Sequence, residues 1–169
     1  FDIIEAAGTK PYGFYKFYPG PGLGGHCLPI DPFYLSWKAQ KFNINADFIK
    51  LSGYINKSMP KWIVNRLVNH YKNNKKKIKD KKILILGVAY KKNINDTRES
   101  PAFEIMRILI NKKAKVRYCD PYVKEISGLR NYNFKMKSVK INYKNLKNFD
   151  AILIVTDHDR FNYDTIRKN

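Results

Sequence analysis

The sequence predicts an α/β chain in which a helical segment is followed by a parallel, doubly wound sheet. Three observations lead there. The run "KKILILGVAY" is continuously apolar and of strand length, the pattern of a strand buried on both faces. After it, strand-like and helix-like stretches alternate in the order β-α-β-(β)-α-β. Before it, apolar residues recur at helical spacing.

The elements follow in order. "FDIIEAAGTK" reads as the middle of a helix and has no initiator Met, which points to a start inside a larger protein. "DPFYLSWKAQKF" carries Phe33, Leu35, Trp37 and Phe42 and is expected to form a short helix after Pro32. "NADFIKLSGYINKSM" places Phe48, Leu51 and Ile55 on one helical face. Ser58 and Pro60 mark the start of a further helix, "KWIVNRLVNHY", in which Ile63, Leu67 and Tyr71 align with Val64 and Val68 alongside. The basic stretch at about 72–80 is a linker, dividing a helical region (1–79) from an α/β region (80–169). In the second region Ser100-Pro101 caps the helix "AFEIMRILINKK". "AKVRYCDP" is a second strand, "NFKMKSVKI" a weaker alternating third, "YKNLKNF" a helical turn and "DAILIVTDHD" another buried strand. The chain closes on a helix start, "FNYDTIRKN".

Composition narrows the functional classes. The 169 residues are 44% hydrophobic, enough for a core and too many for a disordered chain. No apolar run reaches the ~20 residues of a membrane span, and the N-terminal stretch is not a signal peptide. The two Cys, Cys27 and Cys119, are too few for a disulfide scaffold, and none of the three His lies at ligand spacing from either, so no metal site is expected. A reducing cytoplasm is the corresponding setting. The net charge of +19 is spread along the chain without a nucleic-acid-binding motif, so the expectation is a solvated basic surface that favours anionic, phosphate-bearing ligands.

The segment "FYPGPGLGGHCLPIDP" contains Gly20-Pro21-Gly22-Leu23-Gly24-Gly25, a literal G-x-G-x-x-G. A dinucleotide-binding turn must follow a buried strand and open a helix. Here the upstream residues are aromatic and broken by prolines, while Pro29 and Pro32 stand where a helix would have to propagate. The stretch is therefore a Gly-rich loop wrapped around Cys27. Two other segments belong beyond the carboxyl ends of the strands, where such sheets bind ligands: "GVAYKKNINDTRES" and "VTDHDRF". The first carries Lys91, Lys92 and Arg98 beside a helix start, which suits an anion site; a solvated loop with Asp96 pairing Arg98 is the other reading.

"GPGLGGHCLPIDPFYL" and "GVAYKKNINDTRESPA", with "CDPYV", "VTDHDRF" and "INKSMP", resemble the nucleotide-sugar 6-dehydrogenase family, nearest to its UDP-N-acetylglucosamine and UDP-N-acetylmannosamine branch. The resemblance runs in order through essentially all 169 residues. It implies a later part of the central, dimer-forming helical region followed by a Rossmann-like UDP-binding domain, with the N-terminal NAD-binding domain and the final strand outside this chain. It implies a dehydrogenase that oxidises a sugar CH2OH to a carboxylate with NAD, taking a UDP-N-acetylhexosamine or UDP-glucose as substrate for polysaccharide precursors. A non-catalytic UDP-sugar-binding or dimerising remnant is the alternative. No nucleic-acid or membrane partner is implied.

Residue by residue, Cys27 matches the family's nucleophile, which traps an aldehyde as a thiohemiacetal and then carries a thioester. Asp31 matches an Asp that orders or activates the hydrolytic water; an N-cap of the following helix is its simpler role. Tyr18, Pro19, Gly20, Gly22, Leu23 and Gly24 match the loop that cradles the sugar, and Cys27, Leu28, Pro29 and Ile30 the border of the nicotinamide. Tyr90 and Lys91 match contacts to the sugar nucleotide. Arg98 matches an Arg that reaches the NAD pyrophosphate, where a planar guanidinium suits two oxygens. Lys92 has no counterpart and is expected to be solvated, and Cys119 is expected to be structural. His26 stands where a thiol activator could be, but other members of the resembled family lack this His, and neighbouring side chains in an extended loop diverge, so it is expected to point away from Cys27.

Overall fold

The computed structural model describes residues 1–129 and 131–168. The helical region comprises α1 (Asp2–Ala7), α2 (Asp31–Gln40) and α3 (Asp47–Asn73). The α/β region runs β1 (Lys82–Leu86), α4 (Pro101–Asn111), β2 (Lys115–Cys119), β3 (Glu125–Ile126), β4 (Met136–Lys137), α5 (Tyr143–Leu146), β5 (Ala151–Ile154) and α6 (Tyr163–Arg167).

The main sheet has the order β2-β1-β5, with both pairings parallel. β1 takes the centre because it is apolar on both faces: Ile83, Leu84, Ile85 and Leu86 are all fully buried. Alternation along the strand sends Ile83 and Ile85 into a cluster with Val64 of α3 and Met106 and Leu109 of α4. Leu84 and Leu86 face the other way, against Leu146 of α5 and Phe161. Helices therefore cover both faces, and each such side chain contributes about 1.5–3 kcal/mol by leaving water. β5 is half-buried rather than enclosed, with Ile154 at 48% exposure.

The structure departs from the sequence-based expectation in two elements. The two helices expected around Pro60 are one helix, α3, of 27 residues. Pro60 cannot donate to the Asn56 carbonyl, at a cost of about 3 kcal/mol in a helix interior. Packing holds the helix on both sides of it: Phe33 of α2 lies over Gly53, and Val64 and Tyr71 are buried in the core. The alternating segment "NFKMKSVKI" does not join the sheet as a third strand. Its β4 pairs antiparallel with β3, and Val139 beyond it donates to the Tyr118 carbonyl of β2 at 2.9 Å. Charged Lys135 and Lys137 alternate with Phe134 and Met136, and the alternation breaks before Lys140, so the stretch suits a short ribbon over a sheet edge better than an interior strand.

The N-terminal half of α3 shows the helical period expected of it, but its apolar face is open: Phe48 is 89% exposed, and Leu51 and Ile55 are also exposed, as are Trp37 and Leu35 of α2. Among the described residues, no helix is long and apolar enough to cross a membrane.

At the end of β1 the chain must pass directly beside the segment that follows β5. Gly87 has φ +78°, and a Cβ there would stand 2.2 Å from the Thr156 carbonyl oxygen. Both the left-handed backbone and the overlap act against any side chain. Gly87→Ala is expected to lower unfolding stability by at least about 2 kcal/mol, measured as a urea midpoint shift; an unchanged midpoint would show that the crossing relaxes freely.

Candidate functional site

The site forms where the Gly-rich loop lies against the carboxyl ends of the strands. The strand ends are joined by one carboxylate. Asp120, just past β2, accepts hydrogen bonds through Oδ2 from the Val88 and Ala89 amides at 2.7 and 3.2 Å, and through Oδ1 from Tyr122 and Val123 at 2.8 and 3.0 Å. Oδ2 also meets Nε2 of His158, beyond β5, at 3.0 Å, with both side chains fully buried. His158 Nδ1 accepts from the Asn93 amide at 2.9 Å. An imidazole protonated on Nε2 alone satisfies both contacts. Asn93 in turn accepts from the Asp159 amide at 3.0 Å, and Lys92 pairs with Asp159 at 2.6 Å. Lys92, expected to be solvated, is thus a tie between the two loops, and its hydrogen bond holds the Asp159 carboxyl below the usual range.

The loop from Gly87 to Ser100 is shaped by this network. The Tyr90 amide donates to the Asp96 carbonyl at 2.9 Å, and the Ser100 side chain caps α4 by accepting from Ala102. Arg98 grips Asp96 through Nε and Nη2 at 2.9 and 2.5 Å, which holds the Asp96 carboxyl below its ordinary range. The Asp96–Arg98 pair weighed from the sequence is therefore present. The guanidinium remains 60% exposed, and among the described residues its Nη1 makes no hydrogen bond.

The Gly-rich loop is fastened to this surface and to α3. The Gly25 amide donates to the Arg98 carbonyl at 2.8 Å, and the Leu23 amide to Asn56 Oδ1 at 2.7 Å. A Cβ at Gly24 would stand 2.4 Å from Tyr90 Cβ, so Gly24 is the price of stacking this loop on the other. Tyr90 is thus beneath the loop, its ring against Gly25, while Lys91 is exposed.

Cys27 is exposed, and its carbonyl accepts from the Ile30 and Asp31 amides at 3.1 and 2.8 Å. These bonds turn the chain into α2. Asp31 is the first residue of that helix and makes no side-chain cap, so the simpler role expected of it is not used. The segment is a turn and not an extended loop, and this corrects the expectation for His26: its ring lies against Cys27, with Sγ 3.9 Å from Nδ1 and 4.0 Å from Nε2. Burial pushes the Cys119 thiol up to about 11, in keeping with a structural Cys.

A cleft of about 860 Å³ opens beside the loop. Gly22, Leu23, Leu28, Pro29, Ile30 and Arg98 line it, together with His26 and residues of α3 and α4. Cys27, Asp31, Gly24, Tyr90 and Lys91 lie outside the lining. Tyr18, Pro19 and Gly20 also lie outside it; Tyr18 is hydrogen-bonded to Glu5 of α1 and stacked with Phe1. Among the described residues, no group of three or more His, Cys, Asp or Glu is placed to hold a metal. Sequence reasoning missed Asn56 and the Asp120–His158 pair. "CDP" and "TDH" at strand ends were the available signal.

Residues 84–169 match the UDP binding domain of the UDP-glucose/GDP-mannose dehydrogenase family, and residues 1–58 match its central domain. The chain is 34% identical over 169 residues to a UDP-N-acetyl-D-mannosamine dehydrogenase of Methanococcus maripaludis, covering 100% of this chain and 35% of that one. It is 28% identical over 159 residues to a UDP-N-acetyl-D-glucosamine 6-dehydrogenase of Pseudomonas aeruginosa, covering 94% and 36%. The UDP-D-ManNAc dehydrogenase structure from Pyrococcus horikoshii superposes with a TM-score of 0.77 at 33% identity, over 99% of this chain and 37% of that one. The chain spans about a third of the length of the curated relatives it matches.

The two thiols differ in a measurable way. Cys119 has its thiol raised from 9.0 to about 11, whereas Cys27 is exposed. At about pH 8 a disulfide reagent should therefore modify Cys27 and spare Cys119 until denaturant is added, because the thiolate is the reacting species. The raised Cys119 value favours the fold below its unfolded value of 9.0, and that contribution is lost as pH rises toward about 11. Modification of Cys119 in the native protein would contradict its burial.

Proposed function

Because this chain belongs to the UDP-glucose/GDP-mannose dehydrogenase family, we propose that it is the central and UDP-binding portion of an NAD-dependent UDP-N-acetylhexosamine 6-dehydrogenase, with Cys27 as nucleophile. The observation that carries the proposal is the bond from the Gly25 amide to the Arg98 carbonyl at 2.8 Å. It makes the Cys27 loop and the anion-suited β1–α4 loop one continuous surface, so a thiol and a phosphate-binding cation serve the same ligand set.

The residues present fit one part of the cofactor. Arg98 offers Nη1 donors for a pyrophosphate oxygen, and Leu28, Pro29 and Ile30 form an apolar cleft wall for a flat ring. The G-x-G-x-x-G of the Gly-rich loop follows no strand and opens no helix directly, so that loop is not assigned to the adenosine end. When bound, NAD supplies the hydride acceptor for both oxidations. Cys27 adds through sulfur to the aldehyde-level carbon, and the acyl group stays on sulfur until water releases the carboxylate. Asp31, tied through its amide to the Cys27 carbonyl, orients that water. Tyr18, Pro19, Gly20, Gly22, Leu23 and Gly24 form the stretch of loop assigned to the sugar, and Tyr90 and Lys91 are assigned to the nucleotide. The basic charge of +19 attracts the diphosphate.

The exposed apolar faces of α2 and α3, with Trp37, Phe48 and Leu51, support a homodimer formed through the central helices. Two free thiols and no disulfide suit a reducing cytoplasm. The product fits precursor supply for polysaccharide.

In the intact enzyme, Cys27→Ser is expected to reduce carboxylate formation by at least about a thousandfold, assayed by product chromatography with either N-acetyl epimer. Undiminished carboxylate would sink the nucleophile assignment. Arg98→Ala should raise the KM for NAD by about tenfold or more, the worth of a charged hydrogen bond, and leave that for the sugar nucleotide nearly unchanged. The reverse pattern would move Arg98 to the other ligand.

A further inference from the structure

The turn that carries Cys27 brings a second proton-transfer group to the sulfur. Both ring nitrogens of His26 lie within 3.9–4.0 Å of Sγ, and the ring also lines the cleft beside the loop. Ring and sulfur are held together by backbone bonds: Cys27 accepts from Ile30 and Asp31, and Gly25 is pinned to Arg98. The charged groups facing the pair come from three other elements. Arg98 lies within electrostatic reach of Cys27, and Asp96 within reach of His26. Lys57 of α3 and Glu99 and Glu104 at the start of α4 line the same cleft, Tyr90 packs under Gly25, and Asp31 opens α2.

We propose that His26 is a second catalytic residue of this site, the base that takes the proton of the Cys27 thiol and returns it to the oxygen of the carbonyl compound that the sulfur traps. The inference rests on the reading of Cys27 as nucleophile. The step balances as an addition of S–H across C=O. The thiol proton passes to the imidazole, the sulfur lone pair forms the S–C bond, and the carbonyl π pair moves to oxygen. The imidazolium then protonates that oxygen, and no electron is gained or lost. The imidazole is the nearest group to the sulfur that can take its proton. Asp96 is fixed by its grip on Arg98. A thiol beside an imidazole is a pairing by which a weak nucleophile is activated.

The test is the pH dependence of Cys27 alkylation by iodoacetamide in the intact protein, read on the Cys27 peptide by mass spectrometry. It compares the natural sequence with His26→Ala and His26→Gln. The expected result is alkylation about tenfold slower in both variants near pH 6.5, with rates converging near pH 10, where the thiol ionises unaided. Superimposable profiles overturn the proposal. So does a loss by the same factor at every pH, which would mark altered access. His26 is exposed, so both variants should keep the thermal midpoint of the natural protein. The alkylation profile needs no turnover. It therefore decides the role of His26 separately from the Cys27→Ser product assay, which decides the reading beneath it.

Discussion

Asp120 accepts from four backbone amides and a buried imidazole, and these belong to the segments beyond all three strands of the main sheet. A carboxylate with no exposed surface carries a desolvation cost of several kcal/mol unless its lone pairs are filled. Here they are, and the arrangement in return satisfies amides that no strand partner reaches. The pair also transmits position. His158, oriented by Asp120, accepts from the Asn93 amide, so the loop carrying Tyr90 and Lys91 is fixed at both its start and its middle. Gly87 is the complement of this constraint, since only a residue without a side chain passes the Thr156 carbonyl at that distance.

The second layer of the site is built on the first by backbone contact. Gly24 and Gly25 rest on Tyr90 and on the backbone at 98–99, while Asn56 of α3 holds Leu23 from the other side. The Gly-rich loop is therefore a strap between the helical region and the α/β region. Its glycines are needed because two backbones approach closely, with a ring between them. Pro60 takes part in the same geometry. It removes the helical donor to the Asn56 carbonyl, and that oxygen lies 3.6 Å from where a Cβ at Gly22 would stand. The break in the hydrogen-bond ladder falls where the strap crosses α3. The cleft, with Arg98, His26 and Lys57 in its wall, follows from that crossing.

Sequence by itself determined the parts governed by local pattern. The apolar run of β1 required a central strand, the Ser100-Pro101 cap fixed the start of α4, and the prolines after Cys27 ruled out a dinucleotide turn. The motifs around Cys27 and Arg98 were legible as a resemblance because their residues stand in a fixed order; residue type alone does not carry the chemistry, as the buried Cys119 shows. Tertiary structure decided the rest, where residues far apart in the chain compete for the same space or proton. Asp120 and His158 are 38 positions apart, and nothing in the segments that carry them pairs one with the other; only the parallel sheet, which brings the strand ends together, makes them partners. Pro60 read as a helix start, yet packing of Phe33 on Gly53 and of Val64 in the core outweighs one lost bond. His26 read as diverging from Cys27 because adjacent side chains alternate in an extended chain. The turn closed by the Cys27 carbonyl cancels that alternation and sets the imidazole against the sulfur.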